Sequence, residues 1–255
     1  MSELLVERPG VALYHAQHTE LAALQGPEPK AMRHVIVDAP YSARTHGGHG
    51  NKRAADRLTR RKLNYSHWTA DDVELFISTW APLATGWIVS ITDHVLAPAW
   101  AAAMESAGRY VFSPLAFVAP GSRVRMGGDG PAQWSCFIVV SRPKKRSFLS
   151  WGALPGAYVL PPGFDDRRQG DAGVVGGKPL WLMERLVEDY TRAGDIVIDP
   201  CCGAGTTLVA ATSLRRQAIG GDAMRGHAEL AEDRLSRPTQ HDLLASDGAC
   251  AWGHE

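Results

Sequence analysis

The sequence IVIDPCCGAGTT at residues 196–207 decides the fold of this chain. An apolar run typical of a buried parallel strand leads into two glycines, Gly203 and Gly205, and a helical pattern begins at Thr206. Glycines between a strand and a helix let the backbone approach a ligand closely. The stretch therefore predicts a nucleotide-type turn at the end of a strand in an α/β fold.

An acid distinguishes this turn from the dinucleotide-binding fingerprint. Asp199 precedes the glycines, and Leu208 stands where the third glycine of that fingerprint would be. A carboxylate there repels a pyrophosphate but suits a ligand with a cationic end, such as the amino group of a methionine moiety. Asp222 follows another strand candidate, where an acid can bond ribose hydroxyls. The alternative is a structural turn in which Asp222 caps the next helix.

A second motif, Asp38-Ala39-Pro40-Tyr41, follows the apolar strand candidate 34–37. Open α/β sheets bind ligands at the carboxyl ends of their strands. The exocyclic amino nitrogen of a base is a poor nucleophile because its lone pair is delocalised into the ring. The Asp38 carboxylate and the Ala39 carbonyl would each accept one amino hydrogen and direct the lone pair at an incoming methyl group. Tyr41 offers a ring on which a flipped base can stack.

An ordinary turn is the alternative for this tetrapeptide when it is taken alone. Its pairing with the glycine turn favours the catalytic interpretation. Together the two motifs resemble those of the DNA amino-methyltransferases, in the permuted class whose catalytic tetrapeptide precedes the cofactor-binding glycines. Asp38–Tyr41 is similar to the family's Asp-Pro-Pro-Tyr, and residues 199–207 resemble its Asp-Pro-Phe-x-Gly-x-Gly-Thr-Thr. Residues 11–24 look like its opening strand and helix, and Lys178-Pro179 looks like its segment before the glycine turn.

The resemblance implies a fold, a cofactor and an acceptor. The fold is a Rossmann-like seven-stranded sheet with helices on both faces, the cofactor is S-adenosyl-L-methionine, and the acceptor is adenine N6 or cytosine N4. The catalytic residues are Asp38, Ala39, Pro40 and Tyr41. The cofactor-binding residues are Gln17, His18, Asp38, Lys178, Pro179, Asp199, Pro200, Cys201, Gly203, Gly205, Thr206, Thr207 and Asp222.

Three departures from the family pattern lie in these motifs. Ala39 replaces a proline, Cys201 replaces an aromatic residue, and Gln17 with His18 stands where the family often has an Asp beside the cofactor's adenine. The aspartate at the head of the tetrapeptide favours adenine over cytosine, for which serine is commoner in the family.

Strand and helix patterns alternate along the rest of the chain. The strand candidates are 11–15, 34–37, 87–91, 110–118, 136–141, 196–198 and 218–220, and the helix candidates are 20–24, 71–80, 99–107, 180–190, 206–214 and 228–235. This alternation predicts a mostly parallel, doubly wound sheet. We expect one catalytic domain in two parts, 1–141 and 178–236, with a mobile loop at 42–67. A short target-recognition or covering segment at 142–177 separates the parts, and 237–255 forms a flexible tail.

Basic side chains follow the catalytic tetrapeptide and open the inserted segment. The DNA-binding candidates are Arg44, His46, Lys52, Arg53, Arg57, Arg60, Arg61, Lys62, Arg142, Lys144 and Lys145. Such clusters on both sides of the site would hold the phosphates that flank a flipped base. A solvated charged face is the alternative for either cluster alone. Trp134, Trp151, Tyr158 and Phe164 are candidates either for base contacts or for a small local core.

The composition of the chain limits the class of protein to which it can belong. The chain of 255 residues is 45% apolar and 21% charged, as in an ordinary soluble globular protein, and its formal net charge of zero means that any basic surface is local. Four cysteines without zinc-type spacing indicate reduced thiols and a cytoplasmic location. No metal is expected, because His46 and His49 lie in a glycine loop without a further ligand. No segment has the apolar length that a membrane span needs.

The sequence thus predicts a site-specific DNA methyltransferase that acts on a flipped base, in the setting of restriction-modification. A homodimer is left open. The alternatives are an amino-methyltransferase of RNA or another nucleobase, and a catalytically weak relative that binds DNA.

Overall fold

The computed structural model describes residues 2–26, 30–45, 65–121, 130–164 and 177–237. The strands are β1 (Glu3–Arg8), β2 (Val11–His15), β3 (Arg33–Asp38), β4 (Ile88–Thr92), β5 (Arg109–Val111), β6 (Leu115–Val118), β7 (Ser135–Pro143), β8 (Ala157–Val159), β9 (Ile196–Asp199) and β10 (Gln217–Asp222). The helices are α1 (His18–Ala23), α2 (Ala70–Trp80), α3 (Ala97–Ser106), α4 (Leu180–Tyr190), α5 (Thr206–Ser213) and α6 (Arg225–Ser236), with a short 3-10 helix at Leu149–Trp151.

The strands within these ranges form one sheet in the order β1-β2-β10-β9-β3-β4-β7-β6-β8, with β5 also paired to β7. Five neighbours, β2, β10, β9, β3 and β4, run parallel, and β7 lies antiparallel to β4. The predicted parallel α/β sheet is confirmed. The described ranges hold ten strands rather than seven, because β1 and β8 add edges and the predicted strand 110–118 forms two strands, β5 and β6.

Helices cover both faces of the sheet, as predicted. Side chains of α1, α2 and α3 pack in one core cluster, and those of α4, α5 and α6 pack in the other. Both β4 and β9 are buried along their whole length, as expected for strands covered on two sides. At the start of α2, Thr69 caps the helix and exchanges hydrogen bonds with Asp72, which fixes where the helix begins.

The inserted segment packs against the sheet as far as it is described. Phe148 and Tyr158 are buried, and the Tyr158 hydroxyl donates a hydrogen bond of 2.7 Å to Asp189 on α4. Trp151 packs edge-on against the buried Trp87, at 5.7 Å between ring centroids. These aromatic residues give residues 143–160 a local core that the hydrophobic periodicity did not predict. Of the aromatic candidates, Phe164 lies 6.5 Å from Trp181 and Trp134 is exposed.

A missing side chain on β10 lets α5 approach the sheet. A Cβ atom added at Gly220 would lie 2.3 Å from Leu208 Cδ1, far inside van der Waals contact. In the dinucleotide fingerprint the third glycine, on the helix, allows close helix–strand packing. Here the leucine is on the helix and the glycine is on the strand, so the same close approach is made from the other side.

We expect Gly220→Ala to destabilise the protein by about 1–3 kcal/mol, because the new methyl group overlaps Leu208. In a Leu208→Ala background the same substitution should cost much less, since the clash is gone. Urea unfolding of the single and double variants measures both costs. Gly156→Ala is the control, because a Cβ there meets nothing within 4 Å. Equal costs of Gly220→Ala in the two backgrounds would contradict this account of the packing.

Candidate active site

Three carboxylates lie at the carboxyl ends of three adjacent strands. Asp38 ends β3, Asp199 ends β9 and Asp222 ends β10. In the register, Asp199 is level with Gly220 on one side and Ile198 is level with Val35 on the other. The central strand β9 therefore ends two residues, or about 7 Å, below both neighbours. This notch forms a cleft of about 490 Å³ that all three aspartates line.

The cleft brings together the motifs predicted from the sequence. Its lining includes the tetrapeptide, most of the glycine turn and the segment before α4. The predicted residues that line it are Gln17, His18, Asp38, Ala39, Pro40, Tyr41, Lys178, Asp199, Pro200, Cys201, Gly203, Thr206, Thr207 and Asp222. Of the predicted cofactor-binding residues, Gly205 and Pro179 do not line the cleft, and they directly precede α5 and α4.

The glycine turn requires glycine at two positions. Gly203 and Gly205 have φ values of 53° and 73°, in the left-handed region that favours glycine. A Cβ at Gly205 would also lie 2.9 Å from the Cβ of Ala231 on α6. Asp222 Oδ2 accepts a hydrogen bond of 2.9 Å from the Gly203 amide, and its Oδ1 accepts one of 2.8 Å from the Met224 amide. Asp222 thus holds the glycine turn and lines the cleft, but it does not cap α6, whose N-cap residue is Met224.

Asp199 is almost completely buried at the floor of the cleft. Burial raises the pKa of its carboxyl to about 7, and the negative charges of Asp38 and Asp222 act in the same direction. Hydrogen bonds from Thr207 and from the Cys201 amide, the latter 3.1 Å long, oppose the rise. A buried carboxyl of this kind becomes a stable anion most readily when a cation enters the cleft.

The two cysteines of the turn form apolar wall. Burial raises the pKa values of the Cys201 and Cys202 thiols well above their usual range, and Asp199 raises them further. Both thiols therefore stay protonated near neutral pH and are poor nucleophiles. The small side chain of Cys201 lines the cleft and packs against the core.

Lys178 contacts the catalytic tetrapeptide. Its Nζ donates a hydrogen bond of 2.9 Å to Asp38 Oδ2 and lies 4.7 Å from the centre of the Tyr41 ring. Burial raises the pKa of Asp38, and the charge and hydrogen bond of Lys178 lower it. Among the described residues, Asp38 Oδ1 is buried without a hydrogen-bond partner. The tetrapeptide thus presents one paired and one unpaired carboxylate oxygen.

Asp93, which the sequence analysis missed, holds the chain that follows the tetrapeptide. Its Oδ2 accepts hydrogen bonds from the Ser42 amide, at 3.0 Å, and from the hydroxyls of Ser42 and Thr45. Its Oδ1 accepts hydrogen bonds from the amides of Val95 and Leu96 at the start of α3. The signal was available, since Asp93 directly follows β4 and Asp38 is the last residue of β3.

A second anchor lies beside Asp93. The Trp68 amide donates a hydrogen bond of 3.0 Å to the Tyr41 carbonyl, and Trp68 forms a β-bridge with Ser42. The described chain on either side of residues 46–64 is thus fixed at the cleft. The candidates His46, Lys52, Arg53, Arg57, Arg60, Arg61 and Lys62 lie outside the described residues, whereas Arg44 is described and exposed.

The residues that replace the family's adenine-site acid form another wall of the cleft. Gln17 directly precedes α1, and its backbone N–H donates a hydrogen bond of 3.1 Å to the Glu20 carboxylate. The His18 ring packs 5.2 Å from Phe76 and 5.9 Å from Trp68. Burial lowers the pKa of His18, so the imidazole is neutral near pH 7. The part of this wall that His18 forms is therefore aromatic and uncharged near pH 7.

The second basic cluster does not flank the cleft, contrary to the expectation from the sequence. β7 runs antiparallel to β4, with Phe137 beside Thr92 and Ser141 beside Ile88. The C-terminal end of β7 therefore lies at the amino edge of the parallel strands. Arg142, Lys144 and Lys145 lie there, at the opposite end of the sheet from Asp38. Antiparallel pairing, which the residues alone did not reveal, reverses the end at which they emerge.

The described residues hold neither a metal-binding group nor a membrane-spanning helix. Within them, no group of three or more His, Cys, Asp or Glu side chains is placed to hold a metal ion. Nor does any helix in these ranges combine the length and apolarity that crossing a membrane requires. His46 and His49 lie outside the described residues.

Comparison with known proteins shows which proteins part of the chain is similar to and which solved structures share its fold. Residues 167–233 match the N6/N4 methyltransferase family model, whose description is DNA methylase. This segment contains Lys178 and the glycine turn. Solved methyltransferases share the fold over most of the chain, at TM-scores of 0.65 and 0.62 for two of them. The resemblance to N6/N4-type amino-methyltransferases and the methyltransferase fold class are thus confirmed.

Particular relatives follow from the same comparison. The M1.HpyAVI–SAM complex is 20% identical and covers 89% of this chain and 100% of that one. The cytosine-N4-specific PvuII DNA methyltransferase is 14% identical, and the match covers 93% of this chain and 90% of that one. Type II methyltransferase M2.DpnII of Streptococcus pneumoniae is 43% identical over 58 residues, 23% of this chain and 22% of that protein. M.HindIII of Haemophilus influenzae is 44% identical over 61 residues, which are 24% of this chain and 20% of that protein. The chain's matches thus span about a fifth of these two curated relatives.

We expect Asp93→Asn to destabilise the protein by about 2–3 kcal/mol at pH 7, because amides and hydroxyls lose a charged acceptor. Burial raises the pKa of Asp93, but the hydrogen bonds from Ser42, Thr45 and the amides outweigh it and the pKa is lowered. Its contribution to stability is therefore complete above about pH 4 and is lost as the pH falls through the lower folded-state pKa.

Urea unfolding between pH 3 and pH 7 measures this difference. Glu105→Gln, which removes an exposed carboxylate on α3, is the control and should change stability by less than about 0.5 kcal/mol. A stability difference between the wild type and the Asp93→Asn variant that stays constant down to pH 3 would show that the carboxylate is not the stabilising group.

Proposed function

We propose that this chain is an S-adenosyl-L-methionine-dependent DNA methyltransferase that methylates the exocyclic amino group of a flipped base, adenine N6 in preference to cytosine N4. One observation carries the proposal. The Asp38–Tyr41 tetrapeptide and the acid-lined glycine turn, more than 150 residues apart in sequence, line a single cleft.

The charge of the cleft supports this cofactor. S-adenosylmethionine carries a sulfonium and an ammonium cation beside one carboxylate. Asp38, Asp199 and Asp222 line the cleft, and Lys178 is the one lysine or arginine among its described lining residues. Asp199 and the start of α5 would hold the amino-acid end, since the helix N-terminus attracts a carboxylate. Asp222 would bond the ribose, and Gln17 with His18 would hold the adenine. When bound, the cofactor supplies an electrophilic methyl group.

The unpaired Asp38 oxygen supports the role of the tetrapeptide. A target amino group would donate one hydrogen to Asp38 and the other to the Ala39 carbonyl, which localises the nitrogen lone pair. Tyr41 would stack against the flipped base. Positioning of this kind supplies most of the acceleration in an in-line methyl transfer and needs no metal.

Lys178 pairs with the other oxygen of Asp38. Its ammonium donates a hydrogen bond to Asp38 Oδ2 and lies over the Tyr41 ring. Burial raises the pKa of Asp38, and the charge and hydrogen bond of Lys178 oppose that rise and so favour the ionised carboxylate. The target amino group would donate to Oδ1 while Lys178 stays on Oδ2, so that neither buried oxygen is left without a donor.

DNA as the partner rests on the family match and on the basic residues that follow the tetrapeptide. Arg44, exposed close to the cleft, is the described member of that group. The M2.DpnII and M.HindIII proteins are type II methyltransferases, and this supports a role in restriction-modification. The preference for adenine rests on the aspartate of the tetrapeptide, since the solved relatives of this fold include a cytosine-N4 enzyme.

Label transfer from tritiated S-adenosylmethionine to DNA tests the activity. We expect labelled N6-methyladenine after digestion and chromatography, and at least about a 100-fold loss of rate in Asp38→Ala, because the acceptor of the amino hydrogen is gone. Asp71→Ala, an exposed acid on α2, is the matched control and should keep full activity.

Parallel reactions with DNA and RNA separate the acceptors. Label in N4-methylcytosine would correct the base, and label in RNA alone would replace DNA as the substrate. No transfer to either nucleic acid, or equal rates for wild type and Asp38→Ala, rejects the proposal. Cofactor binding by calorimetry without any transfer would instead identify a binding protein.

The affinity for S-adenosylmethionine should rise severalfold between pH 6 and pH 8. With a pKa of about 7, the ionised fraction of Asp199 grows from roughly one tenth to roughly nine tenths over this interval, and the anion attracts the cationic ligand. Calorimetry at each pH measures the change. Asp199→Asn should bind more weakly and lose the pH dependence, while Asp71→Asn should behave as wild type. A wild-type affinity that is flat over this range would show that Asp199 does not contact the cationic groups.

A further inference from the structure

A second cavity, of about 620 Å³, lies at the amino edge of the parallel strands. The C-terminal end of β7, the segment 144–156 and the end of α4 enclose it. It lies at the opposite end of the strands from the cleft, since Trp87 precedes β4 whereas Asp93 follows it. Nothing in the methyl-transfer scheme uses this cavity, and we call it the amino-edge cavity.

Aromatic side chains form the floor of the amino-edge cavity. The Trp87 ring meets those of Phe148, Trp151 and Tyr190 edge to face, with centroids 4.9–5.7 Å apart. Phe112 and Trp151 keep part of their surface exposed. The Arg192 guanidinium lies over the Trp151 ring, 3.8 Å from its centre, so the uncovered ring surfaces are the ones that can stack with a flat aromatic ligand, with tolerance of its identity.

An unused hydrogen-bond donor lies in this floor. Trp87 is 3% exposed, and its Nε1 has no hydrogen-bond partner among the described residues. Buried tryptophan N–H groups usually have an acceptor, because an unpaired buried donor is costly. Since Nε1 is itself covered, a ligand that supplies the missing acceptor, a carbonyl, ring nitrogen or phosphate oxygen, would displace the side chains that cover this atom.

Positive charge surrounds the opening. The described residues that line the cavity include Arg142, Lys144, Lys145 and Arg146 and no Asp or Glu. The Arg142 guanidinium is 4.7 Å from the centre of the Tyr110 ring and 5.7 Å from that of Phe148, which holds it at the edge of the aromatic floor. The chain as a whole has no net charge, so this is a local concentration of cations that suits an anion.

From these observations we propose that the amino-edge cavity is a second binding site, for a nucleotide. The base stacks on the aromatic floor and accepts a hydrogen bond from Trp87 Nε1. The phosphate lies among Arg142, Lys144 and Lys145. An apolar ligand would leave the cations without a partner, and a free phosphate would leave the floor uncovered and Trp87 unsatisfied. The site is separate from the cleft and does not depend on the methyltransferase activity.

Calorimetric titration of the full chain with AMP tests the proposal, with adenosine and inorganic phosphate as the two part-ligands. We expect AMP to bind at least about tenfold more tightly than either part. Trp87→Phe, which keeps a ring and removes the N–H, should weaken AMP about tenfold. The double variant Lys144→Ala/Lys145→Ala should reduce the affinity for AMP to the affinity that the wild type has for adenosine. Arg185→Ala/Arg237→Ala, which removes the same charge from exposed positions on α4 and just after α6, should leave it unchanged.

Two results would overturn the proposal. One is no AMP binding at millimolar concentration. The other is binding that Asp38→Asn weakens and the Trp87 and lysine variants do not, which would place AMP in the cleft. Competition with a short single-stranded oligonucleotide distinguishes the source of the nucleotide. If the oligonucleotide displaces AMP at a lower concentration than unlabelled AMP does, the site is assigned to a DNA strand. If the oligonucleotide does not displace AMP, the site is assigned to free nucleotides.

Discussion

The structure depends on a difference in strand length at the centre of the sheet. β9 ends two residues before β3 and β10 in their shared register, and the chain leaves it through the glycine turn. Asp199 therefore lies at the bottom of a notch, with Asp38 and Asp222 above it on either side. Burial raises the pKa of Asp199, the charges of Asp38 and Asp222 add to the rise, and hydrogen bonds from Thr207 and the Cys201 amide offset part of it. The cleft is thus acidic, enclosed and suited to a cation.

Charge is separated along the strands of this sheet. Acids gather at the carboxyl edge, where β3, β9 and β10 each end in an aspartate, and cations gather at the amino edge, where the antiparallel β7 emerges. A formal net charge of zero conceals this separation. It also divides the ligand chemistry of the molecule. The carboxyl edge suits a cationic ligand beside a base, and the amino edge suits an anion beside aromatic rings.

Sequence patterns located most helices and strands because their signals are local. Val11–His15 and Leu180–Tyr190 were predicted to the residue. β1 and β8 were missed, since an exposed edge strand and a three-residue strand carry little periodicity. Tyr158 was named as a candidate for a local core, whereas the core role of Phe148 was missed for a different reason. A Pro- and Gly-rich segment has no period, and its aromatic residues are buried only because β7 and α4 lie nearby.

The sequence by itself determined the parallel α/β class and the two motifs at strand ends, because turn glycines, strand-end acids and apolar periods are set by neighbours in the chain. Tertiary structure alone decided the rest. Strand register set the depth of Asp199 and the pairing of Lys178 with Asp38 across 140 residues. Antiparallel pairing of β7 carried its basic end away from the cleft and beside Trp87. Such outcomes depend on which strands pair and in which direction, and those choices are fixed by long-range packing that no local pattern records.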